Sequence, residues 1–386
     1  MQTVVGQVAR GKDFWDRKNE MEDIWSAIES GSHILISAPR RVGKTSIMYK
    51  VVDNPKPGYI PIYINTESAD TQQEFWQKLF HALVEEEFVD ELKTQAKLLW
   101  KKLKSIKISK ISTSGIELGE GNELGFIDAF KQLIKDLDSD KKLLIMIDEF
   151  AQTIENIIKF EDEKSAINLL KNHRELRQDR KFSEKVIFVY AGSIGLESVV
   201  AKIDASRHIN DLNSIKVKPL EKSNAKEFVV QLFKANQKEI TSKNVEYLLE
   251  KIEWLIPFHI QLIVQEVVKL QRETEEIQVQ TIDRAFEEAL EHKQYFESWH
   301  SKIKTSFKND EFLFAKMVLN EISGKQTITF RQIVNLAAKN KMDEEGARAV
   351  IRSLIYDGYI NNNDQPKTYR FNSPIIRLWW NKNVAN

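Results

Sequence analysis

Over the first 220 residues, short apolar runs alternate with stretches of helical spacing. HILISA (33–38), YIPIYIN (59–65), KLLIMID (142–148), KVIFVYAG (185–192) and SIKVKPL (214–220) are rich in β-branched and aromatic residues and mostly continuous. That is the pattern of parallel strands buried on both faces. Amphipathic helical patterns lie between them, as over Thr71–Glu87 and Gly125–Leu137. Strands alternating with helices predict an α/β sheet with crossover helices. From Ser223 the strand pattern stops and helical patterns run to about residue 300. SNAKEFVVQLFKAN opens with Ser223 at an N-cap position and carries Lys234 in its last turn, and Pro257 suits the first turn of the helix it begins. From about residue 305, helical patterns over 309–322, 329–339 and from 342 to near Gly358 precede two short strand-like pieces around an Asn/Asp turn in YINNNDQPKTYRFN. Three helices and a hairpin predict a winged helix. One stretch, SIKISKISTSGIELGE (105–120), alternates Ile with polar residues and reads as a hairpin inserted before the third sheet strand. It follows a basic run holding Lys93, Lys97, Lys101, Lys102 and Lys104, for which either packing on its own domain or a partner-docking surface is expected.

Composition narrows the class. Hydrophobic residues at 42% and charged residues at 30% fit a globular chain. Lys+Arg and Asp+Glu are equal at 57 each, so net charge gives no general field for nucleic acid or membrane. With no cysteine, thiolate chemistry and Cys-ligated metals are excluded. Seven scattered histidines form no H-E-x-x-H pair. No apolar run reaches membrane-helix length and the N-terminus has no signal-peptide core, so a cytoplasmic protein without a membrane partner is expected.

The candidate chemistry begins at residues 38–46, APRRVGKTS, directly after the first strand. A bare Gly-Lys-[Ser/Thr] is expected by chance in roughly one chain in five of this length. Here it stands between a buried-type strand and a helical pattern, which is the context a phosphate-cradling loop requires. Ala38 occupies the position usually held by Gly and is tolerable if its backbone keeps φ below zero. The expected nucleotide-binding residues are Ala38, Pro39, Arg40, Arg41, Val42, Gly43, Lys44, Thr45 and Ser46, with Lys44 reaching the β and γ phosphates. Arg40 and Arg41 face phosphate or pair with nearby acids. KLLIMIDEF supplies an apolar strand ending in acids. Asp148 and Thr45 are expected to hold Mg²⁺, and Glu149 to polarise the attacking water. Ser193, ending the next strand, either bonds the γ-phosphate or lytic water or simply closes a turn.

PRRVGKTS, IDEF, YAGS, the N-terminal GKDFWDRKNEMEDI and the terminal YRFNSPIIRLWW together resemble the archaeal/bacterial P-loop ATPases of the STAND class, related to AAA+ and origin-recognition ATPases. The resemblance spans nearly the whole chain. It implies a five-stranded parallel sheet of order 5-1-4-3-2 in a P-loop domain over 1–221, a helical lid over 222–304 and a winged helix over 305–386. It also implies that Phe14, Arg17 and Glu20 lie near the nucleotide. Pro257 matches the proline of the lid motif, but Leu255 stands where that motif has Gly, so Pro257 reads equally as an adenine contact or a helix-start proline. The lid arginine of AAA+ relatives is missing after Pro257, where His259 and Lys269 are the only substitutes. Arg207 is the candidate for an arginine finger acting in a neighbouring subunit, or is an ordinary surface residue.

Two functions follow from the resemblance. One is an ATP-binding and hydrolysing switch that signals its nucleotide state to a partner protein or a second copy. The alternative is a winged-helix DNA-binding initiator or loader. The helix from 342 to near Gly358 holds Asp343, Glu344, Glu345 and Asp357 against Arg348 and Arg352, which suits a major groove poorly and favours the switch.

Overall fold

The computed structural model describes residues 1–84, 108–112, 115–118, 123–124, 126–135, 137, 140–192, 195–271, 277–307 and 309–385. Two compact units form within it. A sheet unit comprises Arg17–Ala38 and Lys44–Val217, and a helical unit comprises Met1–Asp16, Pro39–Gly43 and Lys218–Asn386.

In the sheet unit the elements run α1 (Lys18–Glu29), β1 (Ile34–Ser37), α2 (Lys44–Asp53), β2 (Tyr59–Asn65) and α3 (Gln72–Val84). Then come β3 (Ile108–Ser112), β4 (Gly115–Leu118), β5 (Glu123–Leu124), α4 (Phe126–Lys135), β6 (Lys142–Asp148), α5 (Phe150–Phe160) and α6 (Glu163–Gln178). A short α7 (Arg180–Ser183), β7 (Val186–Ala191), α8 (Leu196–Ala201) and β8 (Asn213–Lys216) complete it. The parallel sheet has the order β2-β6-β7-β1-β8. Numbered along the sheet-forming strands this is 2-3-4-1-5, which is 5-1-4-3-2 read from the other edge.

Strands β6 and β7 are almost wholly buried along their length, as continuous apolar runs require. The edge strands differ from the two-faced burial expected of them. β2 alternates half-buried and buried positions, and in β8 Ile215 alone is buried. A strand at a sheet edge is covered less fully, so its pattern moves toward a period of two. The core beside β6 and β7 is aromatic, with Phe75, Phe150, Phe188 and Tyr190 all at or below 2% exposure. Each such ring stabilises the fold by about 1.5–3 kcal/mol. The expected hairpin exists as β3 and β4, which pair antiparallel with Ser112 opposite Gly115, and β5 adds a third strand. The basic run from Lys93 to Lys104 lies outside the described residues.

The helical unit continues with α9 (Lys222–Ala235), α10 (Ser242–Ile252), α11 (Pro257–Leu270), α12 (Val279–Leu290), α13 (Lys293–Ser306) and α14 (Asn309–Lys325). It ends with β9 (Thr327–Thr329), α15 (Phe330–Lys339), α16 (Glu344–Tyr356), β10 (Ile360–Asn361), β11 (Thr368–Phe371) and α17 (Pro374–Asn383). Ser223 is not the N-cap of α9: the helix starts one residue earlier, with Glu221 extended at φ −65 and ψ 150 as its cap. The backbone N–H of Leu220 donates to Leu255 O at 2.8 Å, which fixes the chain's entry into the helix ahead of Ser223. The expected terminal hairpin is the β10–β11 pair, and β9 makes it a three-stranded antiparallel sheet. Thr329, at the end of β9, forms a capping box with Gln332 that starts α15. Trp299 and Trp380 are fully buried, and the Tyr359 hydroxyl donates to Trp299 O at 2.7 Å.

Among the buried histidines, His33 and His259 each give the fold a pH dependence. His33 in the sheet unit accepts the Phe188 N–H at 3.0 Å on Nδ1, and its pKa is lowered to about 4, first by burial and then by the Arg177 charge. His259 in the helical unit is lowered to about 3, again by burial first. Unfolded, each takes up a proton near pH 6.5. Between that pH and the folded pKa the unfolded chain binds more protons, so stability is lost as pH falls. At pH 5 the loss is about 2 kcal/mol for each histidine. A thermal melt is expected several degrees lower at pH 5 than at pH 7.5, and equal melts would contradict the buried neutral state.

Candidate nucleotide site

The site is built at the C-terminal ends of the parallel strands, where open α/β sheets carry their ligands. β1 leads into residues 38–43 and then α2, which begins at Lys44. Gly43 has φ +110, a backbone no L-residue adopts comfortably. An added Cβ there would meet nothing within 4 Å, so the demand for glycine is conformational rather than steric. Arg41 is left-handed at φ 62, whereas Ala38 is not among the positive-φ positions, so alanine there costs no strain. Lys44 is 6% exposed, and its Nζ donates to Ala38 O at 2.7 Å.

Asp148, at the end of β6, is the centre of a fixed cluster. The Thr45 hydroxyl donates to Asp148 Oδ2 at 2.8 Å and the Tyr63 hydroxyl donates to the same oxygen at 3.0 Å. Oδ1 accepts the backbone N–H of Glu149 at 3.0 Å. Burial, then the neighbouring Glu149 charge, pushes the Asp148 carboxyl up, while the bonds from Thr45, Tyr63 and the Glu149 N–H pull against this. Tyr63 is pushed strongly up by burial and by Asp148, so it remains a donor at neutral pH. The main chain is pinned as well. Both N–H and Oγ1 of Thr66 donate to Asp148 O at 3.1 Å, and the Thr153 hydroxyl donates to Thr66 O at 2.8 Å. Thr66 and Thr153 are fully buried. Glu149 then turns left-handed, with φ 58 and ψ 30, to start α5. Such a backbone costs about 1–3 kcal/mol in a non-glycine residue and gathers at functional sites.

A hydroxyl and a carboxylate held together are the hard oxygen donors that Mg²⁺ takes alongside phosphate oxygens and water. The set therefore fits that ion. Among the described residues no group of three His, Cys, Asp or Glu comes together, so this chain offers no all-protein metal cage there.

Below the end of β7 lies a buried polar network. Arg177 clamps Asp211 through Nε at 2.7 Å and Nη2 at 2.8 Å, and Nη2 also donates to His208 O at 2.6 Å. Its Nη1 donates to the Tyr190 hydroxyl at 3.2 Å, which lies 2.8 Å from His173 Nδ1. His173 is fully buried with its pKa held well down by burial and then by Arg177, so its neutral Nδ1 accepts from Tyr190. This clamp fastens the loop that carries exposed Arg207, whose Nε is 3.3 Å from His208 Nε2. Ser193 lies outside the described residues.

Arg17 is buried and pairs with Glu20 at 2.9 Å in the sheet unit. Phe14, Pro257 and Pro39–Gly43 belong to the helical unit. Pro257 is the first residue of α11. Within that unit the Arg41 guanidinium lies 4.0 Å over the Phe258 ring and 5.5 Å over Tyr295. Its pKa is lowered to about 10 by burial and then by Arg40. An aromatic cage was absent from the sequence expectation for Arg41, because its partners are more than 200 residues away. Lys269 pairs with Glu266 at 2.7 Å, and buried His259 has Nδ1 3.4 Å from Ser373 Oγ.

Sequence reasoning missed Tyr63, Thr66, Thr153 and Arg177. The pairing of β2 with β6 sets Asn65 opposite Asp148 and so brings Tyr63 and Thr66 to it. That adjacency, with polar residues ending an apolar run, was the available signal for both.

A parallel sheet of this order, with a Gly-Lys-Thr helix start after β1 and an acid-ended strand β6 separated from β1 by β7, defines a P-loop ATPase. The chain belongs to the family of ATPase domains predominantly from Archaea, whose model matches residues 14–253. Its fold is similar to that of a Walker-type ATPase of Pyrococcus abyssi, with TM-score 0.69 and 17% identity over 98% of this chain and 99% of that one. It is also similar to the ORC2 protein of Aeropyrum pernix, solved in ADPNP–ADP complexes, with TM-score 0.56, 11% identity and coverage of 96% and 94%. At these identities the likeness is one of fold. No curated protein matches the chain in sequence. Among the described residues no helix is long and apolar enough to cross a membrane.

Proposed function

We propose that this ATPase is a Mg²⁺-dependent switch of the STAND/AAA+ kind, whose nucleotide state is read by a partner protein or a second copy of the chain. Lys44 pairs with the β and γ phosphates, Thr45 and Asp148 hold the metal, and Glu149 polarises the attacking water. When bound, Mg²⁺ neutralises phosphate charge. The observation that carries this reading is the Thr45–Asp148 contact of 2.8 Å, with Glu149 turned left-handed beside it. In the proposed division, 1–221 is the ATPase domain, 222–304 the lid and 305–386 a winged helix. DNA loading is disfavoured by the chemistry of α16. Arg348 is committed to Glu344 and lies 4.2 Å over Phe330, while Asp343 caps the helix through Gly346 N at 2.7 Å. An acidic helix start with Arg348, one of the helix's two arginines, engaged is a poor reader of phosphate or bases.

Arg207 is exposed on a loop fixed by the Arg177–Asp211 clamp, which suits a residue that completes a neighbour's site. Specific ATPase activity is then expected to rise with protein concentration. In Arg207→Ala it should fall at least tenfold with ATP affinity unchanged. Activity independent of concentration and unchanged in the variant would remove Arg207 and support a monomeric enzyme. Turnover stimulated by duplex DNA rather than by concentration would favour the loader.

A further inference from the structure

We infer that Tyr63 is a positioning residue for the metal site, an inference that rests on the assignment of Thr45 and Asp148 to Mg²⁺. Asp148 Oδ2 accepts two hydroxyl donors, Thr45 at 2.8 Å from α2 and Tyr63 at 3.0 Å from β2. Thr45 belongs to the helix that starts at the phosphate end. Tyr63 belongs to the sheet, and it bonds Asp148 from a strand paired with β6 over seven consecutive positions, Tyr59–Lys142 to Asn65–Asp148. Its ring is itself held, lying 4.5 Å from Tyr49 of α2 at an interplanar angle of 32°. The hydroxyl is therefore a rigidly mounted donor aimed at one carboxylate oxygen.

A carboxylate on a free rotor spends much of its time facing away from a metal, and outer hydrogen bonds remove that freedom. Oδ1 is tied to the Glu149 N–H at 3.0 Å, so the plane of the carboxylate is set from both oxygens. Tyr63 supplies the side of that restraint that comes from the sheet, and Thr45 the side that comes from α2. The Tyr63 and Thr45 hydroxyls take the two lone pairs of Oδ2, which leaves the second lone pair of Oδ1, beside the Glu149 N–H, for the metal shell. Tyr63 touches neither nucleotide nor water in this arrangement; it acts through Asp148.

The test is Tyr63→Phe, which keeps the ring and its contact with Tyr49 and removes the hydroxyl alone. The readout is binding of a fluorescent ATP analogue to the full chain, first in EDTA and then at rising Mg²⁺. Loss of an outer partner of this kind costs about 10–100-fold in metal affinity. The variant should bind the analogue in EDTA as the wild type does, with an unchanged melting temperature. The Mg²⁺ concentration that half-saturates the metal-dependent gain should rise at least tenfold. Thr45→Ala, which removes a metal-holding hydroxyl, sets the scale for full loss. A Mg²⁺ midpoint within twofold of wild type in Tyr63→Phe would overturn the role of Tyr63 while leaving the metal site intact. A wild-type protein whose binding ignores Mg²⁺ would overturn the metal assignment and Tyr63 with it. Weakened binding in EDTA with a lowered melting temperature and no midpoint shift would assign Tyr63 to packing.

Discussion

Lys44→Ala is expected to abolish ATP binding, and turnover with it. Lys44 is 6% exposed at the first position of α2, so its ammonium works in a site largely closed to water. The 2.7 Å bond to Ala38 O fixes the direction of the side chain along the turn between β1 and α2. Removing one partner from a buried, hydrogen-bonded charge pair costs about 2–5 kcal/mol, or roughly 30-fold to several thousand-fold in affinity. Alanine is the best helix former, so α2 itself survives the change. Titration calorimetry with ATP is the measurement, and a thermal melt like that of the wild type guards against misfolding. Affinity within threefold of wild type would show that phosphate is held elsewhere.

The parts of this site that sequence made legible are those carried by neighbours in the chain. Gly43, Lys44 and Thr45 are adjacent, and Asp148 and Glu149 close one apolar run, so the residue types and the flanking strands were enough. Strands β6 and β7 were legible for the same reason: centrally placed strands read as unbroken apolar segments. Residues whose meaning depends on pairing were not legible. Thr66 matters because it meets Asp148 O across 82 positions, and Thr153 because it meets Thr66 across 87. Arg177 looks like any helical arginine until the chain brings Asp211 and Tyr190 to it. The loop arginine Arg41 shows another limit. Sequence offered it phosphate or an acid, while the fold gives it the faces of Phe258 and Tyr295, a partnership that cation–π attraction stabilises. Ser223 shows a third limit. Its residue type suits an N-cap, but the anchored Leu220 sets the start of α9 two residues too early for it.

Glu149→Gln is expected to keep ATP binding and stop hydrolysis. Gln has the length and shape of Glu and the same tolerance for φ 58, so the left-handed start of α5 is preserved. The groups proposed to hold phosphate and metal are untouched, because Lys44 bonds Ala38 O and Thr45 bonds Asp148 Oδ2. What disappears is the negative charge that draws a proton from the attacking water, and proton transfer of that kind contributes about 10²–10⁴-fold to rate. The main chain around it leaves little room for a substitute to swing in. Asp148 O is held by Thr66, and the Thr153 hydroxyl lies 3.3 Å from Glu149 O, so residue 149 projects in a set direction. Asp148 cannot take over while its Oδ1 accepts the Glu149 N–H and its Oδ2 accepts two hydroxyls. Single-turnover hydrolysis of bound ATP separates the chemical step from product release. A rate at least a hundredfold below wild type, with calorimetric affinity within twofold, is the expected pair of results. A single-turnover rate within threefold of wild type would move the water-polarising role away from the end of β6.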